Sequence, residues 1–309
     1  MDFDAKAMKP KLNELANAGV FIGTSSWKYE GWMGQLYSPE RYEYRGKVAK
    51  SRFEAGCLEE YAETFSTVCV DAGYYRFPSE KYIAGLAGQV PADFKFGFKV
   101  TDEITIRKFP NHPRHGDRAG KLNENFLRAP LFIEAFLGPL SPCREKIGVI
   151  MFEFSRFYSG DFEKGRDFVA ALDDFLGKLP SGWQYGVEIR NQEFLKPAYF
   201  ETLRRHGVAH VFNSWTAMPE VQNQMALEGS FTADFFASRL LLKPGRKYEE
   251  AVNSFSPYRE IKEVHTPARA AIKALVDRNP KRPSYIFVNN RLEGNALATI
   301  AATIQETLA

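Results

Sequence analysis

Short apolar runs alternate with longer amphipathic segments along almost the whole chain. The runs have the length and the β-branched or aromatic content of strands, and the segments between them have the spacing of helices that bury one face. The pattern predicts eight strands, at residues 20–24, 67–71, 94–101, 147–154, 185–190, 207–213, 234–242 and 284–290.

Helices are predicted between these strands. Residues 1–18 are predicted to form an N-terminal tail or short helix ahead of the main domain. Further helices are predicted at about 47–64, 79–88, 123–140, 162–178, 197–205 and 257–278, followed by an Ala-rich helix at the C-terminal end. The segment after the sixth strand carries only a weak helical signal.

The order of these elements predicts one α/β domain. Strands alternate with helices, and no linker rich in Ser, Gly or Pro divides them, so we expect a single (β/α)8 TIM barrel over residues 19–309. A doubly wound open sheet is the alternative. That fold usually has a Gly-rich phosphate-binding turn after its first strand, and Gly23-Thr24-Ser25-Ser26 is not such a turn.

Polar residues lie near the C-terminal ends of the predicted strands. Side chains alternate across a strand, so Glu188 and Arg190 share one face of strand 185–190. The C-terminal ends of barrel strands form one rim, where the active sites of such barrels lie. The same alternation in the other strands predicts that further polar residues surround this rim: Asp71, Lys99, Glu153, Arg239 and Asn289.

Four of the charged residues at this rim are candidates for catalysis. We predict Glu188, Glu153, Asp71 and Lys99 as catalytic residues, with Glu188 or Glu153 as the general acid or base. A structural alternative is that the charges only satisfy each other, for example Lys99 with Glu153 or Arg190 with Glu188.

Cations, amides and aromatic rings form the predicted substrate-binding set. Arginine binds phosphate or carboxylate through its planar fork, and the loops after strands seven and eight commonly form the phosphate site of such barrels. Aromatic side chains in the loops after strands one and two would stack on a base or sugar ring. The predicted binding residues are Ser26, Trp27, Tyr29, Trp32, Tyr74, Arg190, Asn213, Arg239, Lys243, Asn289 and Asn290.

Composition limits the class of protein. The 309 residues are 44% hydrophobic and 26% charged, as in soluble globular proteins, and a net charge of +3 is too small to indicate nucleic acid by itself. No apolar run approaches the roughly 18 residues that cross a bilayer, and no secretory signal follows the acidic start. The three cysteines, Cys57, Cys69 and Cys143, are widely spaced, which favours reduced thiols and a cytoplasmic location.

Several stretches together resemble the YecE-like family, also known as domain of unknown function seventy-two. The similar stretches are residues 22–27 with Tyr29, Gly31-Trp32 and Gly34, residues 74–79, residues 96–99 with Ile104-Thr105, residues 187–190, and residues 287–290 with Gly294 and Ala296. The resemblance implies a (β/α)8 barrel and brings no established reaction.

Four positions depart from the family pattern. Similar proteins usually have Glu in place of Asp71 and Gln in place of Glu153. They typically carry His-Gly soon after Arg239, which is followed here by Leu240-Leu241-Leu242-Lys243, and His in place of Ile106. If those histidines are catalytic in the family, these departures imply an altered or lost activity.

The first functional hypothesis is binding, and in addition hydrolysis, of a small anionic substrate that contains phosphate or resembles a nucleotide. The alternative is a non-catalytic protein that binds single-stranded nucleic acid through the aromatic loop 27–37 and the basic segments 107–118 and 243–247. A second alternative is a glycosidase with Glu153 and Glu188 as carboxylates about 5–9 Å apart. No cofactor is expected, although Mg²⁺ held by Asp71, Glu153 and Glu188 is a further hypothesis.

Overall fold

A computed structural model describes residues 3–71, 74, 76–278 and 280–305. Within these residues, eight parallel strands close into a barrel, each paired with its neighbours in the chain, and the first strand pairs with both the second and the eighth. The predicted (β/α)8 barrel is therefore confirmed. The strands are β1 Val20–Thr24, β2 Thr67–Val70, β3 Lys95–Lys99, β4 Ile147–Phe154, β5 Tyr185–Ile189, β6 Ala209–Ser214, β7 Ala237–Leu240 and β8 Ser284–Val288.

Helices flank the barrel. The helices of eight or more residues are Ala5–Asn17, Lys50–Ala62, Glu80–Ala87, Gly165–Gly177, Pro197–Arg205, Tyr248–Phe255, Thr266–Val276 and Ala296–Gln305. Shorter helices are Pro39–Tyr42, Asp102–Thr105, Ala129–Phe132, Gly138–Leu140, Val221–Met225 and Asn290–Glu293, with a π-helical turn at Ile133–Leu137. A short antiparallel ribbon pairs Glu43–Tyr44 with Lys47–Val48.

Two predicted helices differ from the structure. The helix predicted from residue 123 begins only at Ala129, because the Asn123 side-chain amide donates to the carbonyl oxygens of Glu103 and Ile106, at 2.8 Å each, and holds this segment as a loop. The helix predicted over 257–278 begins at Thr266, where Pro267 lies in the first turn. Tyr258 ahead of it has a φ of 67°, which no helix contains.

The barrel interior has two layers of different chemistry. Its lower part is apolar, and Gly97 contributes to that packing, because a Cβ at this position would lie 2.5 Å from Cζ of Phe287. The apolar layer includes Phe21, Cys69, Val149, Met151, Ala209, Val211, Ala237, Tyr285 and Phe287. The next inward-facing positions along the strands carry polar side chains. Charged residues therefore lie directly above the apolar layer.

The N-terminal helix Ala5–Asn17 packs on this barrel through Met8, Leu12 and Leu15, which are buried. Among the helices that the structure describes, none is long and apolar enough to cross a membrane. The cytoplasmic location stays a prediction, as does the proposed boundary between the N-terminal segment and the barrel domain.

Candidate functional site at the barrel mouth

Six charged side chains from five strands meet at the C-terminal mouth of the barrel. We call them the mouth network. It contains three cations and three carboxylates: Asp71, which directly follows β2, Lys99 of β3, Glu153 of β4, Glu188 of β5, Arg190, which directly follows β5, and Arg239 of β7. All six were expected at this rim, and the structure brings them into one set of contacts.

Arg239 lies at the centre of the network. Its Nη1 donates to Oε2 of Glu153 at 2.7 Å and to Oε2 of Glu188 at 2.6 Å, and its Nη2 donates to Oδ1 of Asp71 at 3.0 Å. Only 2% of its side chain is exposed. Burial opposes the charge, but the carboxylates around it, Glu188 first, hold the pKa of Arg239 well above its usual range. Arg239 thus orients three carboxylates from three strands without itself reaching solvent.

Glu153 accepts bonds from all three cations at a single atom. Lys99 Nζ, Arg190 Nη2 and Arg239 Nη1 each lie 2.7 Å from Oε2 of Glu153. Burial favours the protonated acid, but Arg190, Lys99 and Arg239 outweigh it and hold the pKa of Glu153 well below its usual range. Glu153 is therefore ionised at neutral pH and has no proton to give as a general acid.

Lys99 and Arg190 form the outer edge of the network and rest on aromatic rings. Lys99 Nζ lies 3.5 Å from the ring centre of Tyr74, and the Arg190 guanidinium carbon lies 3.8 Å from that of Trp215. Their side chains keep 11% and 12% of their surface exposed. Cation–π contacts of this kind hold a charged head in place without neutralising it, so both cations face the mouth in fixed positions.

Asp71 is the carboxylate of the network that reaches solvent most. Its side chain is 35% exposed, whereas those of Glu153 and Glu188 are 2% and 0% exposed. Below it, Cys69 Sγ lies 3.7 Å from Asp71 Oδ1. Burial raises the pKa of the Cys69 thiol well above its usual range, so this cysteine is a neutral neighbour and not a nucleophile.

Two tyrosines border the network as neutral groups. Burial raises the pKa of Tyr29 and of Tyr74 to about 12 in each case. Tyr29 hydrogen-bonds to the Ser26 side chain, and the Tyr74 hydroxyl lies 3.3 Å from Oγ of Ser155. Both phenols keep their protons at neutral pH and supply hydrogen-bond donors near the mouth.

Other predicted binding residues have structural partners. Trp27 and Trp32 are 5% and 0% exposed and belong to the hydrophobic core, so neither offers a free face for stacking. Lys243 pairs with Glu263 at 2.6 Å, outside the mouth network.

The predicted asparagines also have structural partners. Asn289 accepts from the backbone N–H of Arg291 at 3.0 Å and caps the helix Asn290–Glu293. Asn290 accepts from the backbone N–H of Ala296 at 2.7 Å, next to the C-terminal helix. Asn213 is buried and donates to the carbonyl oxygens of Ile189 and Val211. These contacts support the chain around the mouth.

Ser155 and Trp215 belong to the rim but were not predicted. Each lies two residues beyond an inward-facing position, Ser155 after Glu153 and Trp215 after Asn213. The strand alternation that identified the charged residues would have found both, had it been extended one step past the strand ends.

The mouth does not favour a magnesium ion. Asp71, Glu153 and Glu188 converge as the hypothesis requires, but Arg239 lies between them and already bonds to all three. Among the described residues, no cluster of three or more His, Cys, Asp or Glu side chains is arranged to hold a metal ion. A guanidinium thus takes the position that a hard cation would need.

Comparison with known proteins points to one family. A family model described as "Protein of unknown function DUF72" matches residues 21–309. The UPF0759 protein YecE of Escherichia coli strain K12 is 25% identical over 189 residues, which are 61% of this chain and 55% of that relative. The match thus covers only about half the length of this curated relative.

Solved structures share the fold. A DUF72 family protein from Enterococcus faecalis V583 has a TM-score of 0.62 and 18% identity, covering 94% of this chain and 95% of the other. One from Thermotoga maritima MSB8 has a TM-score of 0.61 and 19% identity, covering 94% of this chain and 98% of the other. At these identities the likeness shows a common fold, and the names of these proteins state no substrate.

Proposed function

Since this chain belongs to the DUF72 family, whose description names no activity, we propose a function from its own residues: the barrel mouth binds a small anionic ligand such as a phosphorylated metabolite. Lys99 and Arg190 are the proposed ligand-binding cations. Arg239 positions the carboxylates beneath them and does not touch the ligand, because it is buried.

One observation carries the proposal. Lys99 Nζ and Arg190 Nη2 both lie 2.7 Å from the same oxygen of Glu153. Two cationic nitrogens anchored on one atom are close enough to share the oxygens of a single phosphate or carboxylate group. Because Tyr74 and Trp215 fix their other sides, little side-chain entropy is lost when an anion binds.

Both cations have donors beyond those that the network uses. An ammonium group has three N–H donors and a guanidinium has five. Lys99 uses one on Glu153, and Arg190 uses Nε on Glu188 and Nη2 on Glu153. The Nη1 group of Arg190 and the other hydrogens of Lys99 can therefore bind an anion while the ion pairs of the network stay intact.

If the bound ligand is hydrolysed, Asp71 is the carboxylate best placed to accept a proton. Glu153 bonds to three cations and Glu188 is fully buried, whereas Asp71 is partly exposed and bonds to Arg239 through Oδ1. This assigns the base to one of the predicted catalytic residues and leaves Glu153 with a role in holding Lys99 and Arg190.

The alternatives have less support in the geometry. A glycosidase needs one carboxylic acid that stays protonated, and the cations around Glu153 have the opposite effect. Nucleic-acid binding would use stacking rings and free basic loops, but Trp27 and Trp32 are in the core. In the basic segments, Lys243 pairs with Glu263, and Arg114 and Arg118 pair with Asp102 and Glu103, which leaves only part of segment 107–118 without carboxylate partners.

Isothermal titration with inorganic phosphate, glucose 6-phosphate and adenosine monophosphate tests the proposal. We expect at least one of these anions to bind, and Arg190→Gln to weaken its binding by about tenfold or more, as loss of a charge-assisted contact predicts. The control is Lys281→Gln, which removes an exposed cation near the opposite end of the barrel.

The control variant removes the same charge and should bind the anion as the wild type does. If no anion binds, or if Arg190→Gln and Lys281→Gln bind it equally well, the proposal is wrong. Near-ultraviolet circular dichroism of both variants excludes a folding defect as the cause of any difference.

A further inference from the structure

A cavity opens between the loops that follow β3 and β4, beside the mouth network. We call it the side pocket. Its volume of about 410 Å³ is in the range of small-molecule sites. Its walls come from residues 105–111 and 155–161, with Gly120. Phe109 and Phe157 lie mostly buried in these walls, and the Tyr158 ring is 70% exposed at its edge.

The side pocket has an excess of cations. Arg107, Lys108 and Arg156 line it, against one carboxylate, Asp161. The Asp161 side chain accepts from the backbone N–H of Tyr158 at 2.7 Å. Within the part of the chain that the structure describes, none of the three cations forms an ion pair. The lining of the pocket therefore has a net positive charge, because one carboxylate faces three cations.

Neighbouring cations of the same loop are arranged differently. Arg114 pairs with Asp102 at 3.2 Å, and Arg118 pairs with Glu103 at 2.6 Å. The loop after β3 thus has carboxylates available, and it uses them on the two arginines outside the pocket. Among the described residues, the three cations that line the cavity have no such carboxylate partner, as expected where an external anion supplies it.

One tyrosine separates the side pocket from the mouth network. Ser155 lines the pocket, and its Oγ lies 3.3 Å from the hydroxyl of Tyr74. The ring of the same Tyr74 carries Lys99 on its face, at 3.5 Å. The side pocket and the mouth network are therefore linked through the contact between Ser155 and Tyr74.

We propose that the side pocket binds a second anionic group of the ligand whose first anionic group binds at the mouth. The ligand is then a small molecule with two separated anionic groups, of the class of bisphosphorylated sugars. This inference rests on the proposed function for the position of the first group. Lys108 and Arg156, the exposed cations of the pocket, contact the second group, and Arg107 stays anchored between the rings of Phe126 and Phe162.

Glucose 6-phosphate and glucose 1,6-bisphosphate differ by one phosphoryl group and provide the test. We expect the bisphosphate to bind at least about tenfold more tightly, because the second contact is intramolecular once the first has formed. The double variant Lys108→Gln/Arg156→Gln should reduce bisphosphate binding to the level of the monophosphate and leave monophosphate binding within about twofold. The matched control is Lys178→Gln/Lys281→Gln, which removes two exposed cations elsewhere.

The outcomes separate the two proposals. If the wild type binds both sugars equally, or if the double variant and its control behave alike, the inference about the side pocket is wrong. If Arg190→Gln still weakens binding of both sugars in that case, the proposed function of the mouth stands. If instead the double variant weakens binding and Arg190→Gln does not, the assignment of the mouth is wrong.

Discussion

Glu153 and Glu293 are both buried carboxylates that accept several hydrogen bonds, but their partners differ in kind. Glu153 accepts from three cations that come from three other strands or their ends. Glu293 accepts from the backbone N–H of His265 at 2.6 Å, from the Thr299 hydroxyl at 2.9 Å and from Arg269, with 2.8 Å to Nη2. We call this second group the Glu293 cluster.

The difference shows what a buried charge can be used for. The Glu293 cluster joins the start of helix Thr266–Val276 to the segment after β8, and its one cation, Arg269, bonds to Glu293 through two nitrogens. The mouth network joins five strands and leaves donors of Lys99 and Arg190 facing the opening. A buried charge alone therefore does not indicate a binding site. Cations at a barrel mouth that keep N–H donors free for a ligand, such as Lys99 and Arg190, do indicate one.

The largest expected effect is the loss of protein stability when the central arginine of either group is replaced. Arg239→Met leaves three carboxylates without their shared cation, and we expect it to lower the free energy of unfolding by about 3–5 kcal/mol. Arg269→Met leaves Glu293 with a backbone N–H and a hydroxyl, so we expect a smaller loss of about 1.5–3 kcal/mol. Urea denaturation of both variants measures the difference. Equal losses would contradict the distinction between the two groups.

Glu153 of the mouth network and His210 lose their contributions to stability in different pH ranges. His210 of β6 lies among the rings of Tyr199, Phe200 and Phe212, and burial lowers its pKa to about 4. Between its ordinary pKa of about 6.5 and this value, the unfolded chain binds a proton that the folded chain does not. Stability should therefore fall by about 3 kcal/mol as pH decreases through this window.

His210→Gln should remove that slope, measured by urea denaturation at several pH values. Glu153 behaves in the same sense but in a lower pH range, because its pKa is also depressed: its contribution to stability is present above its ordinary pKa of about 4.5 and is lost as pH falls below that value. An unchanged slope in His210→Gln would show that other groups titrate in this window and that His210 is not held neutral.

The smallest expected effect is on ligand affinity, which should change in a variant of Glu153 and stay the same in a variant of Glu293. Glu153→Gln removes a negative charge beside the proposed anion site but keeps a side-chain oxygen that can accept from Lys99 and Arg190. We therefore expect phosphate or glucose 6-phosphate to bind about tenfold more tightly, or about 1.4 kcal/mol. The matched variant Glu293→Gln removes a buried carboxylate elsewhere and should leave the affinity unchanged. Isothermal titration that finds equal affinities for both variants would contradict the proposed role of Glu153.

Much of the fold and of the charged rim could be predicted from the sequence because both depend on local rules. Period-two alternation places Lys99, Glu153 and Glu188 on inward faces, and the parallel order of the strands places their ends at one rim. The bounds of β1 and β4 follow directly from their apolar runs.

Residues outside the strands could not be assigned in this way. Whether Lys243 faces the mouth depends on the path of its loop and on Glu263, which lies 20 residues further along the chain. A tryptophan in a loop can either pack in the core or stack on a ligand, and its residue type does not distinguish the two roles. For Trp27 and Trp32, packing in the hydrophobic core determines the role. Asn289 could be a ligand or a helix cap, and the N–H of Arg291 determines that it is a cap.

The central claim, that Lys99 and Arg190 together bind an anion at the barrel mouth, is tested most directly by diffraction. Crystals of the unlabelled protein grown with selenate, a tetrahedral oxyanion like phosphate, give an anomalous signal at the selenium edge. We predict a selenium peak within about 4 Å of both Lys99 Nζ and the Arg190 guanidinium. Selenium peaks only beside surface lysines, with none at the mouth, would contradict the claim.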